Sequence, residues 1–201
     1  EAQLFDCGST VHADFPDQER SRQHKPTLRE VVEAVDEKAL EEGSPGIGFN
    51  IEIKSDPTLY DTYQPRPERF VSLVLAQIDS LGIAGRTIIQ SFDPAVLEAV
   101  HVQDEDIPTA LLVENSDGPE ANLNRLSFTP TYYSVAFELA DKSLVKELYA
   151  RDIELLVWTV NDKNDLKKMI KLGVSGIITD HPDKAIALLV RSASRTLASS
   201  S

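Results

Sequence analysis

Glu52 and Lys54 stand two residues apart in the run Phe49-Asn50-Ile51-Glu52-Ile53-Lys54. On an extended strand that spacing puts both on one face. An acid beside a base there suits a metal or phosphate site, and an internal ion pair is the competing reading. Gln90-Ser91-Phe92-Asp93-Pro94 ends a second β-type run and turns into a helix. Asp93 is placed to cap that helix, which leaves Gln90, Ser91 and Phe92 to line a cleft. Trp158-Thr159-Val160-Asn161-Asp162 ends another run, with the only tryptophan at the strand's carboxyl end. Other chemistries lack their residues. His12, His24, His101 and His181 have no partner at zinc-protease spacing, and there is neither a G-x-S-x-G elbow nor a P-loop. His101 falls late in an amphipathic helix and reads as solvent-facing. Cys7 is the sole cysteine, so no intrachain disulfide can form, and it reads as a small buried apolar residue.

These residues need elements to hold them. Apolar side chains recur at helical spacing over residues 27–42, 67–81, 94–100, 141–149, 162–172 and 182–190. Thr27 and Glu30 are spaced as a capping box, and Pro94 and Pro182 sit where a first-turn proline is harmless. Between the helices, β-type runs start at residues 49, 87, 109, 133, 154 and 176, at steps of 38, 22, 24, 21 and 22. Strands and helices alternating at such steps predict βα units and a parallel sheet. Residues 114–131 read as a loop with one helical turn, and residues 8–26 as a long loop. No G-x-G-x-x-G follows any strand, which removes the usual nucleotide-binding open sheet. Run 49–54 alternates, with Asn50, Glu52 and Lys54 on one side. Those polar groups fit the mouth of a barrel or an exposed edge strand.

Composition sets the bounds. The 201 residues carry 33 acidic and 20 basic side chains, a formal charge of −13, with 41% hydrophobic and 26% charged residues. One globular domain, or two small ones, fits that length. The acid excess argues against phosphate-backbone binding to nucleic acid and against docking on anionic membranes. No apolar run reaches the length of a membrane span. An anionic substrate would need a local cation.

Four blocks, taken in order and spacing, resemble one family: Phe49 through Lys54, Ile89-Gln90-Ser91-Phe92-Asp93, Val157-Trp158-Thr159-Val160-Asn161, and Gly173-Val174-Ser175-Gly176-Ile177-Ile178-Thr179-Asp180-His181-Pro182. They look like those of glycerophosphodiester phosphodiesterases. Phe15-Pro16 with Gln18, then Pro26-Thr27-Leu28, resemble the segment before that family's acidic strand. The resemblance implies an α/β chain of the TIM (β/α)8 barrel class. Its implied reaction is hydrolysis of a glycerophosphodiester to sn-glycerol 3-phosphate and an alcohol, with a divalent cation, Mg²⁺ or Ca²⁺. Glu52 matches a metal-ligand carboxylate. Lys54 matches a catalytic basic residue of the same strand, placed to contact the phosphate or hold the carboxylates. Phe92 and Trp158 match apolar positions around the glycerol side of the pocket. His181 stands where an aromatic residue is common, so no role is carried over to it.

The family's opening His-Arg strand, its Glu-x-Asp strand and the second histidine that follows have no counterpart in this sequence. The expectation is a partial barrel over residues 1–190, holding strands three to eight with the first one and a half units missing. At ~30 residues per unit that is roughly 45 residues or more. A flexible Ser-rich tail, residues 191–201, is expected to follow. Such a chain is expected to be inactive alone and to act within a longer enzyme, in a bacterial periplasm or cell envelope rather than the cytoplasm. The alternatives are a noncatalytic barrel of the same descent that binds a phosphoester or partner, and a sphingomyelinase-D-like phosphodiesterase.

Overall fold

The computed structural model describes residues 2–13 and 15–199. The chain divides into two compact units, Glu1–Gly48 with Leu75–Arg86, and Phe49–Val74 with Thr87–Ser201.

In the first unit the one long element is α1 (Leu28–Glu41). The capping box expected at its start is formed: Glu30 N–H donates to Thr27 Oγ1 at 3.3 Å, and Thr27 N–H donates to Glu30 Oε2 at 2.7 Å. Arg86 holds Asp36 through two bonds of 2.6 and 2.7 Å and also donates to the Ile47 carbonyl. The loop before α1 is organised on Asp6, whose Oδ1 accepts from the N–H groups of Gly8, Ser9 and Gln23 at 3.0–3.3 Å. Gly8 is required by close approach, since a Cβ there would lie 2.3 Å from the Ser21 carbonyl oxygen. The expectation of a buried Cys7 is corrected: its side chain is exposed, because this loop closes through backbone bonds such as Cys7 N–H to Gln23 O, at 2.8 Å.

The Ser9 hydroxyl and the Gly8 amide hold the Asp6 carboxyl down to about 2. A lowered carboxylate pKa stabilises the loop above the ordinary carboxylate range, near 4, and loses that contribution as pH falls through the folded value. Protection of the Gly8 and Ser9 amides, taken relative to their intrinsic exchange at each pH, is therefore expected to hold above about pH 4 and to fall as pH drops towards 2. Equal protection at pH 5 and pH 2 would contradict this.

The second unit is a six-stranded parallel sheet. Its strands are β1 (Phe49–Glu52), β2 (Thr87–Ser91), β3 (Thr109–Val113), β4 (Tyr132–Ala136), β5 (Glu154–Trp158) and β6 (Gly176–Ile177), paired in sequence order. Helices fill the gaps: α2 (Pro67–Ser80, which enters both units), α3 (Pro94–Gln103), α4 (Pro119–Leu123), α5 (Lys142–Tyr149), α6 (Lys163–Leu172) and α7 (Pro182–Ser199). Asp93, Asp141 and Asp162 cap α3, α5 and α6, accepting bonds from first-turn N–H groups. Gly173, at φ +81°, ends α6 in the left-handed conformation. The alternation of strands and helices thus follows the hydrophobic spacing, and α4 is the single turn expected between residues 114 and 131. One boundary moves. The helix expected over 182–190 runs on through Ser199, so most of the tail expected to fray has helical backbone, while Ser200 and Ser201 lie outside the described residues.

Register and the two-residue alternation sort the sheet into two faces. Leu111 and Val113 of β3, Tyr133 and Val135 of β4, and Leu155 and Val157 of β5 share one face. They form the hydrophobic core with Leu97 of α3, Leu144 and Leu148 of α5, and Leu166 and Met169 of α6. The opposite face carries Asn50 and Glu52, Gln90, Ala110 and Leu112, Ser134, and Leu156 and Trp158. Helices cover the first face; Asn50, Glu52, Gln90 and Trp158 lie on the second. No helix among the described residues is long and apolar enough to cross a membrane.

Candidate active site

Glu52 is the last residue of β1, half-buried, with Gln90 of β2 as its register partner. Asn50 Nδ2 donates to Gln90 Oε1 at 3.1 Å on the same face. Lys54 follows the strand, exposed, and continues its alternation; neither Glu52 nor Lys54 enters an ion pair among the described residues. The internal Glu52–Lys54 pair is therefore not formed. β1 is at the end of the strand order among the described residues, and its polar face is the one shared with Gln90 and Trp158.

Phe92 and Trp158 meet edge to face, with ring centroids 5.6 Å apart and an interplanar angle of 83°. They follow or end β2 and β5, between which lie β3 and β4. Side chains standing on a flat sheet would be about 14 Å apart across three strand spacings. Their contact means that the sheet curls, with the polar face on the concave side. Phe92 is 39% exposed, so the pair borders open space.

The ends of β5 and β6 are braced by Asn161. Its Nδ2 donates to Asp180 Oδ2 at 2.7 Å, and its Oδ1 accepts from Thr179 Oγ1 at 3.1 Å and Asp180 N–H at 2.9 Å. Past Ile177, Ile178 still bonds the β5 segment, donating to Val157 O at 2.8 Å and accepting from Val160 N–H at 2.9 Å. Asp93 does more than cap α3. Besides accepting from Ala95 N–H at 3.0 Å, it accepts from Ser55 Oγ at 2.6 Å and from the Tyr60 hydroxyl. Burial, and then Asp93 itself, push the Tyr60 hydroxyl above its ordinary pKa. An Asp-Pro pair signals only the cap. Ser55 and Tyr60 lie 38 and 33 residues away in sequence, and nothing local marks them.

Two polar atoms on the concave face, Ser134 Oγ and Trp158 Nε1, are buried without a partner among the described residues. A buried unpartnered hydroxyl costs stability that alanine would not. Ser134→Ala is expected to leave thermal stability unchanged or to raise it by about 1 kcal/mol. A clear fall in the unfolding midpoint would show that the hydroxyl has a partner.

No group of three or more His, Cys, Asp and Glu side chains that could hold a metal occurs among the described residues. Glu52 is one hard oxygen donor, whereas Mg²⁺ and Ca²⁺ take six or more ligands. The described residues alone do not make a metal centre.

Comparison with known proteins decides the family. Residues 4–184 match the model of the glycerophosphoryl diester phosphodiesterase family. The chain belongs to that family. A glycerophosphodiester phosphodiesterase of Caldanaerobacter subterraneus subsp. tengcongensis is 30% identical over 168 residues, which are 82% of this chain and 61% of the relative. The fold is likewise that of solved members. A phosphodiesterase of Oleispira antarctica, in complex with the product sn-glycerol-3-phosphate, superposes with a TM-score of 0.72 at 19% identity, over 94% of this chain and 68% of that one. A glycerophosphodiester phosphodiesterase of Parabacteroides distasonis gives 0.67 at 23%, over 92% and 73%. The curled parallel sheet is accordingly six strands of a (β/α) barrel, and its concave face is the interior of that fold. In a barrel of this kind the carboxyl ends of the strands carry the chemistry, and Glu52, Phe92 and Trp158 all end or follow strands.

Proposed function

We propose that the protein hydrolyses glycerophosphodiesters to sn-glycerol 3-phosphate and an alcohol, as part of an enzyme longer than this chain. The observation that carries the reading is the concave face itself. In a chain of this family, register puts Glu52 on the face of the sheet whose strand ends carry the aromatic pair Phe92–Trp158, and Lys54 follows Glu52 by two residues.

Each group has work suited to its chemistry. The protein's formal charge of −13 repels an anionic phosphodiester, and the exposed Lys54 ammonium, engaged in no ion pair among the described residues, supplies local positive charge for a phosphoryl oxygen. Phe92 and Trp158 offer an apolar wall against which the carbon face of glycerol can lie. Glu52 would be one carboxylate ligand of a divalent cation, Mg²⁺ or Ca²⁺, the remaining ligands coming from polypeptide outside this chain. Such a cation neutralises charge on phosphoryl oxygens when bound. The longer enzyme is supported by the relatives, since this chain spans about three fifths of the Caldanaerobacter protein's length. It is also supported by the sheet, whose six strands are fewer than the eight that close such a barrel. They would be strands three to eight.

Product analysis tests the reaction. Glycerophosphocholine given to the complete enzyme is expected to yield sn-glycerol 3-phosphate and choline in equal amounts. A cyclic phosphate as the end product would instead favour a sphingomyelinase-D-like course, and binding without turnover would favour a noncatalytic barrel.

A further inference from the structure

Lys54 is bracketed by bonds to the segment that ends β2. Before it, Ile53 donates its N–H to the Gln90 carbonyl at 2.9 Å, and its own carbonyl accepts from Ser91 Oγ at 2.8 Å. After it, Ser55 Oγ donates to Asp93 Oδ2 at 2.6 Å. The Tyr60 hydroxyl, from farther along the same loop, donates to that same oxygen. Gln64 Nε2 closes the loop by donating to Ser55 Oγ at 3.2 Å and to the Asp56 carbonyl at 3.1 Å. Asp93 is 5% exposed and enters no ion pair among the described residues.

A helix cap needs one carboxylate oxygen, and Oδ1 alone meets that need through Ala95. The second oxygen is spent on Ser55 and Tyr60. Burying a carboxylate without a cation is costly unless its oxygens are hydrogen-bonded, and the donors gathered here come from the loop that leaves Lys54. The arrangement therefore spends a buried charge on fixing the backbone on both sides of one exposed lysine. A long flexible side chain is aimed only as well as its Cα is held.

We propose that Asp93 and Tyr60 are positioning residues that act through Lys54, setting where its ammonium meets the phosphoryl group. This rests on the reading of Lys54 given above. The clamp holds the chain at residues 53 and 55; release of the Tyr60 hydroxyl lets the loop drift and the ammonium with it.

A double-mutant cycle in the complete enzyme tests it. Tyr60→Phe keeps the ring and loses the hydroxyl; Asp93→Asn keeps the helix cap, since asparagine caps as well as aspartate. Either is expected to lower kcat for glycerophosphocholine by about 10- to 100-fold, the scale of a misplacement near 1 Å, with the thermal midpoint little changed. Lys54→Met lowers turnover by itself. In that background Tyr60→Phe is expected to cost less than about 2-fold more. Independent losses that multiply in the double variant would overturn the proposal, as would unchanged kcat in Tyr60→Phe. Near-normal turnover in Lys54→Met alone would remove the reading of Lys54, and the clamp's role with it. Should Tyr60→Phe lower the midpoint, Ser55→Ala replaces it in the same cycle with the same expectations.

Discussion

Glu52→Gln lowers glycerophosphodiester turnover by the complete enzyme by about 100-fold or more, the scale seen when a metal site is disturbed, while the fold survives. Glutamine keeps the length and shape of glutamate and loses the charge that would help hold a cation. Folding is spared because Glu52 enters no ion pair among the described residues. Removing its charge therefore strands no buried cation, the costly outcome when one member of a buried pair is lost. Calorimetric titration with Mg²⁺ or Ca²⁺ should show weakened binding beside the lost activity, partly restored at saturating metal. Near-normal turnover at limiting metal would mean that Glu52 has a structural role only.

The second large effect concerns residues 1–201 expressed alone. They are expected neither to turn over glycerophosphodiesters nor to remain monomeric and well folded. The activity half follows from the donor set, since no group of three metal-binding side chains exists among the described residues. The stability half follows from surfaces. β1 and β6 each have a single strand neighbour, and strand edges recruit other chains. Ile186, Leu189 and Val190 lie on one face of α7 and are 58%, 50% and 61% exposed. Open edges and exposed apolar helix surface together favour aggregation. Thermal unfolding and turnover of residues 1–201, measured beside the longer enzyme, decide it. A cooperative, monomeric and active chain would contradict both halves.

The fold was legible where local chemistry dictates it. Period and caps marked α1, α3, α5 and α6, because Thr27, Asp93, Asp141 and Asp162 bond to N–H groups only two or three residues on. Strand order was legible because parallel strands joined by helices neighbour one another in sequence. Strand ends were not. β6 ends at Ile177, and the Thr179 and Asp180 that follow it bond to Asn161, 18 and 19 residues away, contacts with no local signal. The same holds for the site. Glu52 and Lys54 stand out by alternation within one strand. Asp93 read as a cap and no more, because Ser55 and Tyr60 reach it only through the tertiary fold. Cys7 read as buried on residue type alone, and the Asp6-centred loop leaves it in solvent.

One titration tests whether the concave face carries metal-assisted hydrolysis of a glycerophosphodiester. The complete enzyme, stripped with chelator, is given glycerophosphocholine while Mg²⁺ or Ca²⁺ is added back and sn-glycerol 3-phosphate is measured. No product is expected without metal, and product is expected to rise and saturate as metal returns, in the wild type but not in Glu52→Gln at the same limiting concentrations. Hydrolysis indifferent to chelator, or equal metal response in both proteins, would contradict it.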